Sequence, residues 1–400
     1  MAATPTRRHD VDALRVFAFG LLILYHVGMF YVSWGWHVKS AYQSEALEGL
    51  MLVVNQWRMP LLFLISGLAV HFLVDKVSAV TFARRRLVRL GVPLLFGMAV
   101  IIPPQAYYEA LTNGAFDGGY VAFLGAYFSF QPWPEGAFAG SDIGVTWNHL
   151  WYLPYLLCYT LVGLPLFAWL RGRGRAVAAR FSALRGWALI IVPIIPLCLI
   201  GWFIYPRFPY ISHALLDDWY AHALYFTFFL YGFLIGRDPG LWAEIARLRR
   251  WTLALALIAF PTYRAIVGWV PEEPTTMHNL LLFGAVYLNR WLWLLAVLGW
   301  GHALLNRPFR WLPYATEAVY PWYILHQTIT VVAGFHLSRL ALGPVVEPIM
   351  LVAITFGGCL LLHEFVIRRS RWLRPLLGLK PMAESTASTC RDTTAASRQL

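Results

Sequence analysis

Ten stretches of about 20 predominantly apolar residues follow one another along this chain, roughly 13–34, 50–74, 90–109, 149–170, 186–206, 221–236, 251–270, 277–300, 314–336 and 345–367. That is the length an α-helix needs to cross the hydrocarbon of a bilayer, where each backbone polar group must be satisfied within the segment. The sixth window is short, and the eighth is interrupted by Asn289 and Arg290. Only 13% of the 400 residues are charged, against about 25% in an ordinary soluble domain. The expected fold class is an all-α integral membrane protein with about ten transmembrane helices.

The net charge of +12 would suit a nucleic-acid ligand if it were gathered on one face. It is not. Of the 32 Lys and Arg residues, 26 fall in the N-terminal flank, the C-terminal tail and every second connection. The alternate connections hold only Lys39, Arg207 and Arg339, and Arg58, Arg264 and Arg290 lie within windows. By the positive-inside rule both termini are expected in the cytoplasm. The basic balance is a topology signal, and nucleic acid is not an expected partner. MAATPTRRHDVDALR is basic, but no small-residue cleavage site follows the first apolar run, so a retained first span is expected. Cys158, Cys198 and Cys359 lie in apolar windows and Cys390 in a polar tail, which makes no disulfide framework. The expected organisation is a transmembrane domain over 1–378 and a disordered cytoplasmic tail over 379–400. The connection 110–148 has no Lys or Arg and many aromatics, which suits a folded cap or a binding lip. No P-loop, GxGxxG or metal-binding spacing occurs, so no resident cofactor or metal is expected.

Ionisable residues at membrane depth are costly and usually face a bundle interior or cavity. Arg15 and His26 are eleven residues apart, within roughly 20° of one helix face and about 16 Å apart along the axis. Arg15 can be an ordinary interfacial anchor, paired with Asp12, and His26 a core histidine; sharing a face, they suggest a polar track into the bundle. In FARRRLVRLGVP, Arg86 and Arg89 are spaced to share a face, and the guanidinium fork suits phosphates, although positive-inside charge explains Arg84 and Arg85. A ligand for Arg15, Arg86 and Arg89 would be polyanionic: coenzyme A, a nucleotide or a phospholipid headgroup. QWRMPLLFLISG carries Arg58, either functional or paired with Asp142 or Glu109 to lock helices, and Ser66-Gly67, which permits close helix approach. NHLWYLPYLL offers His149 and Trp151 at an outer mouth, where they suit a sugar ring or, for Trp151, the aromatic belt. ATEAVYPWYILHQ carries Glu317 and His326, with His326 placed to face His26.

Together, Arg15 with His26, the Arg-x-x-Arg of Arg86 and Arg89, RMPLLFLISG, NHLWYL and YPWYILHQ resemble the membrane acyltransferase 3 family. The opening RRHDVDALRVFAFGLLILYHVGMFYVSWGWHVKS is similar to its glucan biosynthesis branch. The resemblance covers about 7–370. It implies a bacterial inner-membrane enzyme that moves an acyl group, succinyl or acetyl, from cytoplasmic acyl-CoA to a hydroxyl of a periplasmic or cell-surface glycan, with a glucan as the foremost acceptor. By motif it makes His26 catalytic and gives Arg15, Arg86 and Arg89 the donor, while Arg58, His149, Trp151, Glu317 and His326 would support or meet the acceptor. The rival is a transporter or flippase for a polyanionic or glycosyl substrate. Against it, the paired half-helices of inverted-repeat transporters are not evident in the sequence.

Overall fold

The computed structural model describes residues 8–236, 238–269, 271 and 275–382, and among them the only regular secondary structure is helical. The proposed tail from 383 onward and residues 1–7 lie outside the described residues. Every apolar window coincides with a helix or a helix pair. Six are long and apolar enough to cross a membrane, and eight are if each of two bent pairs counts as one span. Two windows fall outside that set for different reasons. Trp219–Ile235 has only 17 residues. Leu312–Leu337 is long, but Glu317, His326, Gln327, Thr328 and Thr330 dilute its apolar character. The eighth window needs no interruption: Thr276–Leu305 runs unbroken through Asn289 and Arg290.

Two expectations of straight spans are corrected. Ala79–Ile101 meets Pro103–Thr112 at 42°, and Asn148–Val162 meets Leu164–Arg171 at 47°. Pro103-Pro104 and the Gly163-Leu164-Pro165 turn lie at the two breaks, where proline removes a donor and crowds the preceding turn. Within the first pair, π turns at Leu87–Gly91 and Gly97–Ile101 replace ordinary helix, and such turns are frequent at functional sites.

Packing sets His9–Met29 at the centre. It touches Leu312–Leu337, Thr276–Leu305 and Arg58–Leu73, while Leu312–Leu337 also packs on Gly343–Leu361 and Pro103–Thr112. Pro239–Gly268 and Thr276–Leu305 form a long hairpin to one side. Arg58–Leu73 and Trp219–Ile235 cross as closely as backbones allow. A Cβ on Gly67 would stand 1.8 Å from the Phe229 carbonyl oxygen, and one on Gly232 the same distance from that of Leu64. In lipid, where burial of apolar surface drives little helix association, such close crossings supply the packing.

The connection 110–148 is the expected folded cap. Phe123 and Tyr127 of the short helix Tyr120–Tyr127 are fully buried with Phe138, and Phe116 and Trp133 close around them. Asn113 donates to the Gly136 carbonyl at 2.9 Å, and the Ala139 amide donates to Glu109 Oε1 at 3.2 Å. Gly144 turns the chain at φ +83°, where an added Cβ would press on the Gln131 carbonyl at 2.4 Å.

Candidate active site

Two cavities of about 820 Å³ each enter the bundle from opposite ends of His9–Met29. The first is cationic. Arg8, Arg15, Lys76, Arg86 and Arg89 line it, with Asp12 as its sole lining carboxylate. Arg15 comes from the first turns of His9–Met29 and lies 3.9 Å from Asp12. Arg86 ends Ala79–Arg86, and Arg89 sits in the π turn that follows. That turn changes the angle assumed from α spacing, yet both side chains reach the same cavity. Arg86 Nη2 is buried with no hydrogen-bond partner among the described residues. The three arginines named from sequence are thus gathered in one place, and Arg8 and Lys76 join them.

The second cavity holds His26, His37, Arg58, Asn148 and His149, with the cap residues Ala139, Gly140 and Thr146 over it. His26 Nδ1 lies 2.8 Å from His326 Nε2, with the rings stacked at 5.0 Å and 6°. His326 Nδ1 lies 2.8 Å from the Tyr323 carbonyl oxygen and 3.1 Å from that of Trp322. Carbonyls only accept, so His326 carries its proton on Nδ1, and its Nε2 must accept from His26 Nδ1–H when both rings are neutral. The lone pair of His26 then resides on Nε2, the nitrogen left to meet a substrate. The arrangement fixes a tautomer as a partner on the far nitrogen does in histidine-based sites.

His149 stands perpendicular to His326 at 5.1 Å. Its Nε2 donates towards the Tyr323 and Ile324 carbonyls at 3.2 and 3.1 Å, and Gln105 Nε2 approaches its Nδ1 at 3.4 Å. A polar chain continues from there. Gln327 Nε2 is shared among Gln105 Oε1 at 3.1 Å, Asn148 Oδ1 at 3.1 Å and His37 Nε2 at 2.9 Å. His37 Nδ1 meets Glu109 Oε2 at 2.5 Å. Sequence reasoning missed Gln105, Gln327 and His37, and it offered Glu109 only as one of two possible partners for Arg58. Gln105, Glu109 and Gln327 were detectable in principle as polar residues inside apolar windows. His37 lies in a non-helical connection and carries no such signal.

A wall of rings separates the cavities. Tyr152 and Tyr323 line both. Phe19 lies 5.3 Å from Tyr323 and 6.3 Å from Tyr152. Tyr152 is held by Ser66 Oγ at 2.5 Å and donates to the Leu62 carbonyl at 3.2 Å, and Tyr323 donates to the His149 carbonyl at 2.8 Å. Ser66 therefore braces the wall, while its neighbour Gly67 makes the helix crossing.

The remaining residues singled out from sequence fall into place as follows. Trp151 lines the second cavity and stacks on His213 at 4.0 Å and 27°, a built contact rather than a lipid-facing belt position. Burial pushes His213 down to about 4, Asp218 opposing and Arg58 adding to the effect. Arg58 lines the same cavity but forms no ion pair with Asp142 or Glu109, since Glu109 is engaged by His37 and Ala139. Glu317 lines neither cavity; it lies 3.3 Å from Arg368 and 3.6 Å from Arg374, and ties two chain segments together. Arg290, which interrupts the eighth apolar window, lines neither cavity and lies over Tyr287 at 5.7 Å.

With this geometry in view, comparisons with known proteins are specific. A family model described as an acyltransferase domain matches residues 8–364. Proteins named glucans biosynthesis protein C from Salmonella paratyphi B and Salmonella dublin are each 22% identical over 388 residues, covering 92% of this chain and 94% of theirs. The protein of that name from Salmonella schwarzengrund is 23% identical over 385 residues, with the same coverage. No solved structure matches the chain. The helical bundle, its polar core and a match that runs from Arg8 to Glu364 agree: the chain belongs to the acyltransferase 3 family, multi-pass membrane enzymes that transfer acyl groups other than aminoacyl.

Proposed function

We propose that this enzyme moves an acyl group, succinyl or acetyl, from cytoplasmic acyl-CoA to a hydroxyl of a periplasmic or cell-surface glycan, with a glucan as the foremost acceptor. The observation that carries the proposal is the His26–His326 pair, anchored to backbone carbonyls and separated by one layer of rings from a cavity lined by five cations. The cations take the pyrophosphate and phosphate of the donor, for which the planar fork of Arg86 and Arg89 is suited. The largely uncharged pantetheine arm then passes Phe19, Tyr152 and Tyr323 to bring its thioester to His26. His26 Nε2 accepts the proton of a glycan hydroxyl as its oxygen attacks the thioester carbon. The new C–O bond forms, the C–S bond breaks, and the proton passes from His26 to the departing thiolate to give free coenzyme A. General-base assistance of this kind contributes about 10²–10⁴-fold.

The alternating Lys and Arg distribution supports ten spans in the bacterial inner membrane, both termini cytoplasmic, with the cationic cavity opening inward and the capped cavity outward. On this reading Trp36, Trp147 and Trp151 give the outer cavity faces on which a sugar ring can stack. The two bent helix pairs favour one other reading, a carrier that moves a polyanionic or glycosyl substrate without chemistry. Thiol release separates the two. The wild-type protein should free coenzyme A in step with ester formed on the glycan. His26→Ala should abolish both, by about 10³-fold or more, while retaining donor binding. Mass spectrometry of periplasmic and surface glycans, with thiol release measured on the same membranes, checks this. An unaltered product in His26→Ala would sink the assignment of the base, and glycan export without thiol release would establish the carrier.

A further inference from the structure

Neither the histidine network nor the ring wall employs Arg58. It opens Arg58–Leu73 and lines the His26 cavity. Tyr25 lies against the flat of its guanidinium, with Cζ 3.4 Å from the ring centroid, and Nη2 reaches Asn55 Oδ1 at 3.5 Å. Nε and Nη1 are buried and have no hydrogen-bond partner among the described residues. The carboxylates that share the cavity do not answer it. Asp142 and Asp217, which line the cavity, sit at exposed positions without an ion pair to Arg58, and Glu109, outside the lining, is held by His37. A guanidinium stays protonated even when buried, and a buried charge with an open hydrogen-bonding edge is costly unless an anion meets it. The opposite arrangement holds at Asp10, where Arg8 and His302 saturate the one buried carboxylate at the other end of the helix.

We infer that Arg58 holds a carboxylate of a substrate beside His26, and that this guanidinium sets the enzyme's preference for a charged over a neutral substrate. The inference rests on the acyl-transfer reading for the identity of the substrates. The same anion has two sources: the distal carboxylate of a dicarboxylic acyl group, or an acidic substituent on the acceptor glycan. Nε and Nη1 present N–H donors of fixed direction on different edges of the guanidinium plane, so a carboxylate oxygen can meet either one, and lysine would keep the charge and lose that placement.

The test uses the full chain in lipid nanodiscs, with Arg58→Gln and Arg58→Lys. Succinate, read by thermal shift with succinamide as the uncharged control, should bind wild type at least tenfold more tightly than either variant; equal affinities in all three overturn the inference. The second arm compares kcat/KM for succinyl-CoA and butyryl-CoA with a neutral glucan, and for neutral and acidic glucans with one donor. A tenfold or greater fall in the succinyl-to-butyryl ratio in Arg58→Gln, with Arg58→Lys between, assigns the anion to the acyl group. A fall confined to the acidic-to-neutral glucan ratio assigns it to the acceptor. Ratios that stay flat in both comparisons overturn the inference, however far the overall rate drops. If wild type releases no thiol from any thioester, the acyl-transfer reading fails, and the succinate titration still decides the role of Arg58.

Discussion

The two cavities of this molecule have similar volumes and opposite chemistry. The cationic one presents guanidinium and ammonium groups on long side chains around a single lining carboxylate, Asp12. The capped one presents rings and amides tied to one another: His26 to His326, His326 to the Tyr323 carbonyl, His149 to the same turn, and Gln327 to three partners. Binding a polyanion needs charge at the right distance and tolerates movement. Proton transfer needs one nitrogen with its lone pair aimed, and tolerates little. The contrast separates holding from reacting, and substitution can probe each side separately.

The largest effect after loss of His26 is expected at His326. His326→Leu removes the acceptor for His26 Nδ1–H, frees the ring to turn or change tautomer, and should lower kcat about 10²-fold with donor affinity unchanged. His326→Gln offers an amide oxygen in that place and should recover part of the rate; steady-state kinetics with donor titration would show it, and a loss of affinity in place of rate would mean that the pair is structural. Next comes the cationic side. Arg86→Ala with Arg89→Ala removes charge-assisted contacts of about 1.5–3 kcal/mol each, so the Kd for acyl-CoA should rise at least tenfold while turnover at saturating donor stays within a few-fold. Unchanged donor binding by calorimetry would move the donor site elsewhere. The smallest effect belongs to Glu317. Its ion pairs are part-exposed, with Glu317 32% and Arg368 35% accessible, and such pairs contribute about 0–1 kcal/mol. Glu317→Gln should change kcat/KM less than twofold, and a tenfold loss would place Glu317 in the chemistry after all.

Much of this was legible in the sequence because bilayer physics writes strongly into it. Each apolar window became a helix or a helix pair, Arg15, Arg86 and Arg89 reached one cavity, and His26, lining the other, met His326 behind it. Helical spacing and the cost of burying charge pointed to polar faces inside the bundle; which of those faces meet is set by packing between helices. What escaped depended on long-range pairing. His37 stands in an irregular connection and finds Glu109 seventy-two positions away, and no local pattern announces that bond. The same pairing took Glu109 away from Arg58, so of the two readings of that arginine the helix-locking one is not realised with Glu109, and its Nε and Nη1 stand without a hydrogen-bond partner among the described residues. The breaks at Pro103 and Pro165 were visible as prolines, but proline alone does not distinguish a kink from a straight, locally repaired helix. Glu317 shares its helix with Tyr320 and Tyr323, which line the cationic cavity, but its own partners, Arg368 and Arg374, come from the far end of the chain.

Phe19, Tyr152 and Tyr323 also bear on what the membrane can withstand. A bundle hollowed from both ends is half a channel from each side, and only the rings keep the halves from joining. Ser66, the Leu62 carbonyl and the His149 carbonyl tether the two tyrosines in this closed layer. An arm threaded between the rings would itself fill the gap it opens. On the proposed reading, transfer through the layer would cost the bilayer no leak, because the arm that parts the rings also occupies the space between them.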